Sequence, residues 1–342
     1  MRDFANPFRV VHGTLRDARA SAFAIVKDEM FYLPSFLDHH RRLGVDQFVI
    51  LDDQSSDGTR ELLAAQPDCL VLESPFRFGE EVAVPGGDGR RRERAGILFK
   101  SLIPQRFLAN RYALYLDGDE YLMLPPGVSS VGELFDLLGR HDVRSVAANL
   151  IDFFPATVDE MELPRDLPTS EAMLGAYPYF DALPLLGARY GQRWPAKLDK
   201  GTTARLFRQH HIRMVIGKWQ SAPRWLTRWL LSRYPESNVL KTPVVRWDAG
   251  TEYLNSHRAN VPVTDKVLLG LAHMKFTYDL SRRLQYAVTS KSYARGSEKY
   301  QWYGDLLDAM RQNNTSFLGP DSVRYRGPAD LAAAGLTRLE LA

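Results

Sequence analysis

The 342-residue chain has one cysteine, Cys69. A single thiol excludes an internal disulfide, so a reducing cytoplasm is the expected compartment. Cys69 itself lies in the apolar run Cys69-Leu70-Val71-Leu72 and reads as core. No segment approaches the roughly 18 uninterrupted apolar residues of a membrane span. The opening Met1-Arg2-Asp3-Phe4 lacks the apolar stretch of a signal peptide. Neither charge sign dominates, with 44 Lys and Arg against 41 Asp and Glu. Without a dense basic patch interleaved with aromatics, no nucleic-acid partner is expected. Internal repeats and low-complexity tracts are also missing. What remains is the composition of an ordinary globular protein, 45% hydrophobic and 25% charged.

Within that composition the first third alternates strand and helix. Apolar runs at 22–26, 47–51 and 70–72 read as strands. Helical spacing covers 30–43, closed by Gly44, and 59–65, which follows the Asp57-Gly58 turn. This β-α-β-α-β order predicts an α/β fold with a central, mostly parallel twisted sheet flanked by helices. A Gly-rich, Arg-rich loop at 80–93 leads into a helix at 94–109, then a strand at 112–116. Another strand is expected at 145–151, loops at 156–200, and strands at 205–207 and 243–247. Residues 280–312 read as helical, so the chain divides into a main domain over 1–279 and a C-terminal helical extension and tail over 280–342.

The strand at 112–116 ends in Asp117-Gly118-Asp119-Glu120-Tyr121. Side chains alternate along an extended chain, so Asp117 and Asp119 point the same way. Two convergent carboxylates repel each other unless a cation lies between them, and hard oxygen ligands suit Mn²⁺ or Mg²⁺. Two further strand ends carry acids, Asp28-Glu29 and Asp52-Asp53. Ligands of an open parallel sheet bind beyond the carboxyl ends of its strands. A divalent cation on Asp117 and Asp119 would reverse the local sign and bridge to a diphosphate. Asp52 or Asp53 would then accept hydrogen bonds from a ribose or base.

The segment Phe48-Val49-Ile50-Leu51-Asp52-Asp53-Gln54-Ser55-Ser56-Asp57-Gly58-Thr59 resembles the nucleotide-binding segment of family 2 glycosyltransferases. Ala24-Ile25-Val26-Lys27-Asp28-Glu29 resembles their first strand, with Asp28 where Asn is more usual. Asp117-Gly118-Asp119-Glu120-Tyr121 is similar to the D-x-D-E-[FY] motif of one branch of that superfamily. Lys241 to Trp247, Ser256-His257-Arg258 and Leu271 to Phe276 resemble its later blocks, Met274 being a departure. The resemblance runs from residue 20 to residue 305. It implies the A-type glycosyltransferase fold, a nucleotide-sugar donor, most often a uridine diphosphate sugar, and a bound Mn²⁺ or Mg²⁺.

Breaking an anomeric C–O bond leaves negative charge on the departing diphosphate, which a cation stabilises as a Lewis acid. Asp119 is the leading metal ligand, with Asp117 bound directly or through water. The resemblance implies His273 as the third. Asp28, Glu29, Asp52, Asp53, Asp117, Lys241, Arg246 and His257 are the expected donor contacts. An inverting transfer needs a general base. Asp152, closing the strand after the metal motif, is favoured over the rivals Asp181 and Asp248; a retaining enzyme would not need one. The acceptor is expected to be a glycan or lipid-linked glycan of cell-surface polysaccharide synthesis. Residues 221–233 carry a Trp225, Leu226, Trp229, Leu230 stripe flanked by Arg224 and Arg228. That pattern fits core packing or a subunit contact, with a peripheral contact at the inner face of a membrane as the other reading. The alternatives are a sugar-phosphate nucleotidyltransferase and a non-catalytic nucleotide- or glycan-binding protein.

Overall fold

The alternation of strand and helix is realised in a computed structural model. It describes residues 4, 6–84, 91–187, 189–191, 194–215, 232–235, 238–290 and 298–341. The Trp/Arg stripe at 221–231 and Gly86, Gly87, Gly89 and Arg90 of the Gly-rich loop lie outside these described residues. The ten strands of the central sheet are β1 (Arg9–His12), β2 (Ser21–Val26), β3 (Gln47–Asp52), β4 (Cys69–Glu73) and β5 (Tyr112–Tyr115), followed by β6 (Glu120–Met123), β7 (Ser145–Asp152), β8 (Leu240–Arg246), β9 (Thr264–His273) and β10 (Arg338–Leu339). They lie in the order β1-β4-β3-β2-β5-β8-β7-β9-β10, with β6 pairing β9.

The sheet is mixed, because β8 runs antiparallel to both β5 and β7. Strands β2, β3, β4 and β5 are linked by parallel pairings, as are β7 and β9. Two antiparallel steps through β8 return β7 to the direction of β5. Six strands therefore end at one edge of the sheet, and β8 begins there. This edge gathers Asp28-Glu29, Asp52-Asp53, Asp117 to Asp119, Asp152 and His273, with Lys241 at the start of β8.

Helices cover both faces. Alternate residues of β2 bury Ala22, Ala24 and Val26 on one side and Phe23 on the other. The first side packs against Leu33, Phe36 and Leu37 of helix α1 (Leu33–Arg42), Leu63 of α2 (Thr59–Ala64), and Leu134 and Leu138 of α4 (Val131–Arg140). The second packs against Ala95, Phe99 and Ile103 of α3 (Ala95–Phe107). A third apolar cluster joins α5 (Val158–Glu162), α7 (Gly201–Gln209), α8 (Tyr278–Ser290) and α9 (Glu298–Gln312) through Met161, Phe207, Leu280 and Leu306.

Several expectations change. Residues 205–207 are helical, within α7, where Thr203, Leu206 and Phe207 are buried while Arg208 is exposed. A three-residue apolar run does not separate strand from helix. The stretch at 156–200, expected as loops, holds α5, α6 (Ser170–Ala176) and a short strand, Tyr179–Asp181, paired with Ser322–Arg324. The tail supplies β10 at the edge of the central sheet. No helix among the described residues is long and apolar enough to cross a membrane.

The strand after the D-x-D motif is held by two adjacent histidines of α1. A carbonyl only accepts, so His39 Nε2 donates to Leu122 O at 2.7 Å. His40 donates from Nδ1 to Phe36 O, and its Nε2 accepts the Leu122 N–H at 3.2 Å. The side of β6 that does not face β9 is thus satisfied by two neutral imidazoles. Burial lowers His39 from its ordinary value to about 4, with the Leu122 hydrogen bond opposing the shift only in part. A base whose folded pKa is depressed contributes stability fully present above 6.5 and lost as pH falls toward 4. Between pH 7 and pH 5 the His39 contribution should shrink by about 2 kcal/mol. Urea unfolding at both pH values checks this: His39→Gln should show a flatter pH dependence than wild type, and an identical slope contradicts the reading.

Candidate functional site

The D-x-D turn closes on itself. Asp117 N–H donates to Glu120 Oε2 at 2.9 Å, and Glu120 N–H donates to Asp117 O at 3.0 Å. Lys241 sits beneath the turn with no exposed surface, donating to Asp117 Oδ2 at 3.0 Å and to Glu120 Oε2. Its ammonium also lies 4.1 Å from the centre of the Tyr115 ring. The buried Lys100 approaches the same ring to 4.5 Å. Tyr115 Oη donates to Asp117 Oδ1. Burial alone would raise the Asp117 carboxyl, but Lys241 and Lys100 hold it well below the usual carboxylate range. Burial likewise acts against the Lys241 ammonium, and Asp117 and Glu120 outweigh it and keep Lys241 charged.

Asp119 faces a different partner. His273 Nε2 lies 3.4 Å from Asp119 Oδ2, and His273 Nδ1 lies 3.0 Å from Asp152 Oδ1. The Thr203 N–H, at the start of α7, donates to Asp152 Oδ2 at 3.2 Å. Lys275 donates to the Thr203 hydroxyl at 2.9 Å. Burial disfavours the charged imidazole, but Asp119 and Asp152 lift His273 to about 9. Burial raises Asp119, and His273 and then Arg283 bring it below its usual range. Asp152 is held well below that range by Lys275 and His273 against the effect of burial.

Behind the turn, Glu29 accepts from Arg283 Nη2 at 2.6 Å, while Arg283 Nε donates to Asp279. A Cβ on Gly118 would lie 3.3 Å from Glu29 Cγ. The middle position of the motif is therefore small because Glu29, anchored by Arg283, lies against it. Gly118→Ala should cost about 1–2 kcal/mol through this crowding. Chemical denaturation measures it, and an alanine variant as stable as wild type contradicts the close packing.

The other expected residues divide clearly. His257 belongs to the cluster: burial lowers it to about 4, Lys241 adds to the shift, and its Nδ1 has no hydrogen-bond partner among the described residues. Asp53 lies at the correct edge, with Oδ1 accepting from Phe78 N–H at 3.1 Å. Asp52 presents no free carboxylate, because Ser55 N–H and Arg60 Nε occupy its two oxygens at 3.1 and 2.7 Å. Asp28, at φ +53°, staples the turn by accepting from Ser56 N–H at 2.6 Å. Asp181 is bound by Arg205 at 2.8 Å and by Ser322 Oγ at 2.7 Å, so it is not placed as a free base. Asp152 holds His273 rather than standing open as a base. Arg246 pairs with Tyr112 at the start of β5, on the opposite edge of the sheet, where it binds Asp248 and Asp142. Neither Arg246 nor Asp248 reaches the motif.

No family model and no curated protein matches this chain. What can be said of the site follows from its own geometry. Among the described residues, no group of three or more His, Cys, Asp or Glu side chains is arranged to hold a metal ion. A cation shared with a substrate phosphate needs fewer protein ligands, since Mg²⁺ keeps water and uses one or two carboxylates plus phosphate. Asp119 fits that requirement, and His273 fits it once a cation displaces the proton that Asp119 and Asp152 favour on its ring. Asp152 fixes the His273 ring through Nδ1, the outer-shell arrangement common to metal-binding histidines, and turns Nε2 toward Asp119. Asp117 fits less well as a direct ligand, because Tyr115 and Lys241 occupy its oxygens.

Glu120 and Lys275 stand inside the motif blocks of the sequence without an assigned role, and Lys100, Thr203 and Arg283 lie outside every motif. One signal was present: Lys100 interrupts the apolar face of α3 between Phe99 and Ile103. A cavity of about 630 Å³ opens beside the ends of β3 and β4, lined by Gln54, Ser55, Arg60, Glu73 and Ser74.

Proposed function

We propose that this chain is a metal-assisted glycosyltransferase of A-type fold that uses a nucleotide-sugar donor. The observation that carries the reading is the Asp152–His273–Asp119 line at the end of the D-x-D strand, with distances of 3.0 and 3.4 Å. It provides one carboxylate and one oriented imidazole on the sheet edge where Asp53 also lies. The resemblance of the D-x-D-E-Y and Asp52-Asp53 segments to family 2 glycosyltransferases points the same way.

In this reading Asp119 and His273 hold the cation, with Asp152 and Thr203 fixing the histidine. Bound there, Mn²⁺ or Mg²⁺ would supply Lewis-acid stabilisation of the leaving diphosphate. Lys241 keeps Asp117 charged and fixed, so that it can accept a hydroxyl of the donor. Asp53 takes the ribose or base beside the 630 Å³ cavity. The acceptor is a glycan or lipid-linked glycan.

The test is turnover. Wild-type protein given a panel of nucleotide sugars and Mn²⁺, with water or an added glycan hydroxyl taking the sugar, should release the nucleoside diphosphate from one of them, and chelation should stop the release. A sugar-phosphate nucleotidyltransferase would instead consume nucleoside triphosphate and sugar phosphate and release pyrophosphate. Finding that activity would displace the proposal.

A further inference from the structure

The order of strands at the binding edge raises a question of charge. β2 lies between β3 and β5. Their ends carry Asp53, Glu29 and the D-x-D turn in that spatial order. On the nucleotide-sugar reading, a donor reaching from Asp53 to Asp119 must pass over the end of β2. Its diphosphate, the most anionic part, would then lie over Glu29, whose carboxyl burial pushes up to about 8 while Arg283 opposes the shift. Some cation has to meet it besides the metal.

The cations of the site are not equally available. Lys241 and Lys100 are buried. Lys275 is committed to the Thr203 hydroxyl. Arg283 is 25% exposed and sits at the end of β2, against Glu29 and over the Tyr32 ring at 5.6 Å. It is redundant for Asp279, which Arg282 already binds at 2.6 Å. Among the described residues its Nη1 makes no hydrogen bond. It is also one of the cations that lower Asp119. A guanidinium presents a planar fork of donors that matches phosphate oxygens.

We propose that Arg283, on α8, is a donor-binding residue that contacts the terminal phosphate of the nucleoside diphosphate over the end of β2. Glu29 and Asp279 hold the guanidinium in place by its Nη2 and Nε edges. The remaining edge faces the phosphate. In the reaction Arg283 would add its charge to the stabilisation of the leaving group that a cation held by Asp119 and His273 would supply.

The test compares a nucleoside diphosphate with the matching monophosphate, both titrated calorimetrically with Mn²⁺ present. Arg283→Met is measured alone and together with Glu29→Gln, the double variant avoiding an unpaired buried carboxylate. Both should bind the diphosphate about tenfold more weakly or worse, while monophosphate affinity stays within about twofold. Arg283→Lys should recover part of the loss. Unchanged diphosphate-to-monophosphate preference in the folded double variant overturns the proposal, whatever happens to thermal stability, and leaves Arg283 a tether. Wild-type protein binding neither nucleotide would instead remove the glycosyltransferase reading itself, and the proposal with it.

Discussion

Replacing Lys241 by methionine should lower the free energy of unfolding by about 3–5 kcal/mol at neutral pH. Methionine keeps most of the apolar stem, so the loss is not a cavity effect. What disappears is the cation that bridges Asp117 and Glu120 at a fully buried point. Removing one member of a buried pair leaves the other charge uncompensated. Glu120 bears most of this, because Asp117 keeps 41% of its side chain exposed. Burial already pushes the Glu120 carboxyl up to about 7, with Lys241 opposing the shift. Without Lys241 it rises further, and the cost is relieved wherever Glu120 takes up a proton. The deficit of Lys241→Met should therefore be largest above neutrality and shrink as pH falls toward 5. Urea unfolding across that range measures it. A deficit below about 1 kcal/mol at pH 8 would mean that the triad is not the anchor of the D-x-D turn.

How far the sequence reveals this arrangement depends on the distance over which each contact acts. Alternating apolar runs with helical spacing place β2, β3, α2 and β4 within one residue of their observed limits, while α1 begins three residues later than its spacing suggests. The Asp117 to Glu120 turn follows its strand, and three acid-tipped ends share one edge because β2, β3 and β5 are parallel. Partners distant in sequence are another matter. Lys241 and Glu120 are 121 residues apart, as are His273 and Asp152, and Arg283 lies 254 residues from Glu29. No local pattern announces such pairings. Asp152 illustrates the consequence: its position after the motif suggests a base, while its contact with His273 makes it an orienting group. Arg246 is a different case. It shares β8 with Lys241, and a strand rises about 3.3 Å per residue, so two positions five residues apart are about 17 Å apart. Strand geometry alone places only one of them at the site.

In the proposed function, Asp119 and His273 are where a divalent cation would meet the diphosphate of the donor. The most direct measurement is calorimetric titration of nucleoside diphosphates into wild-type protein and Asp119→Ala, each with and without Mn²⁺. Asp119 supplies the carboxylate that faces His273 Nε2, while Asp152 holds Nδ1, so removing Asp119 leaves Nε2 without its acidic partner and would leave a bound cation a single protein ligand. The substitution should cost little stability, since Asp119 is partly exposed and its main-chain carbonyl still accepts from Met274 N–H at 2.8 Å. The expected result is binding of at least one nucleoside diphosphate by wild type, strengthened about a hundredfold by Mn²⁺, with that metal-dependent gain absent in Asp119→Ala. Wild-type binding that is indifferent to Mn²⁺, or a full metal effect surviving in Asp119→Ala, would contradict the account.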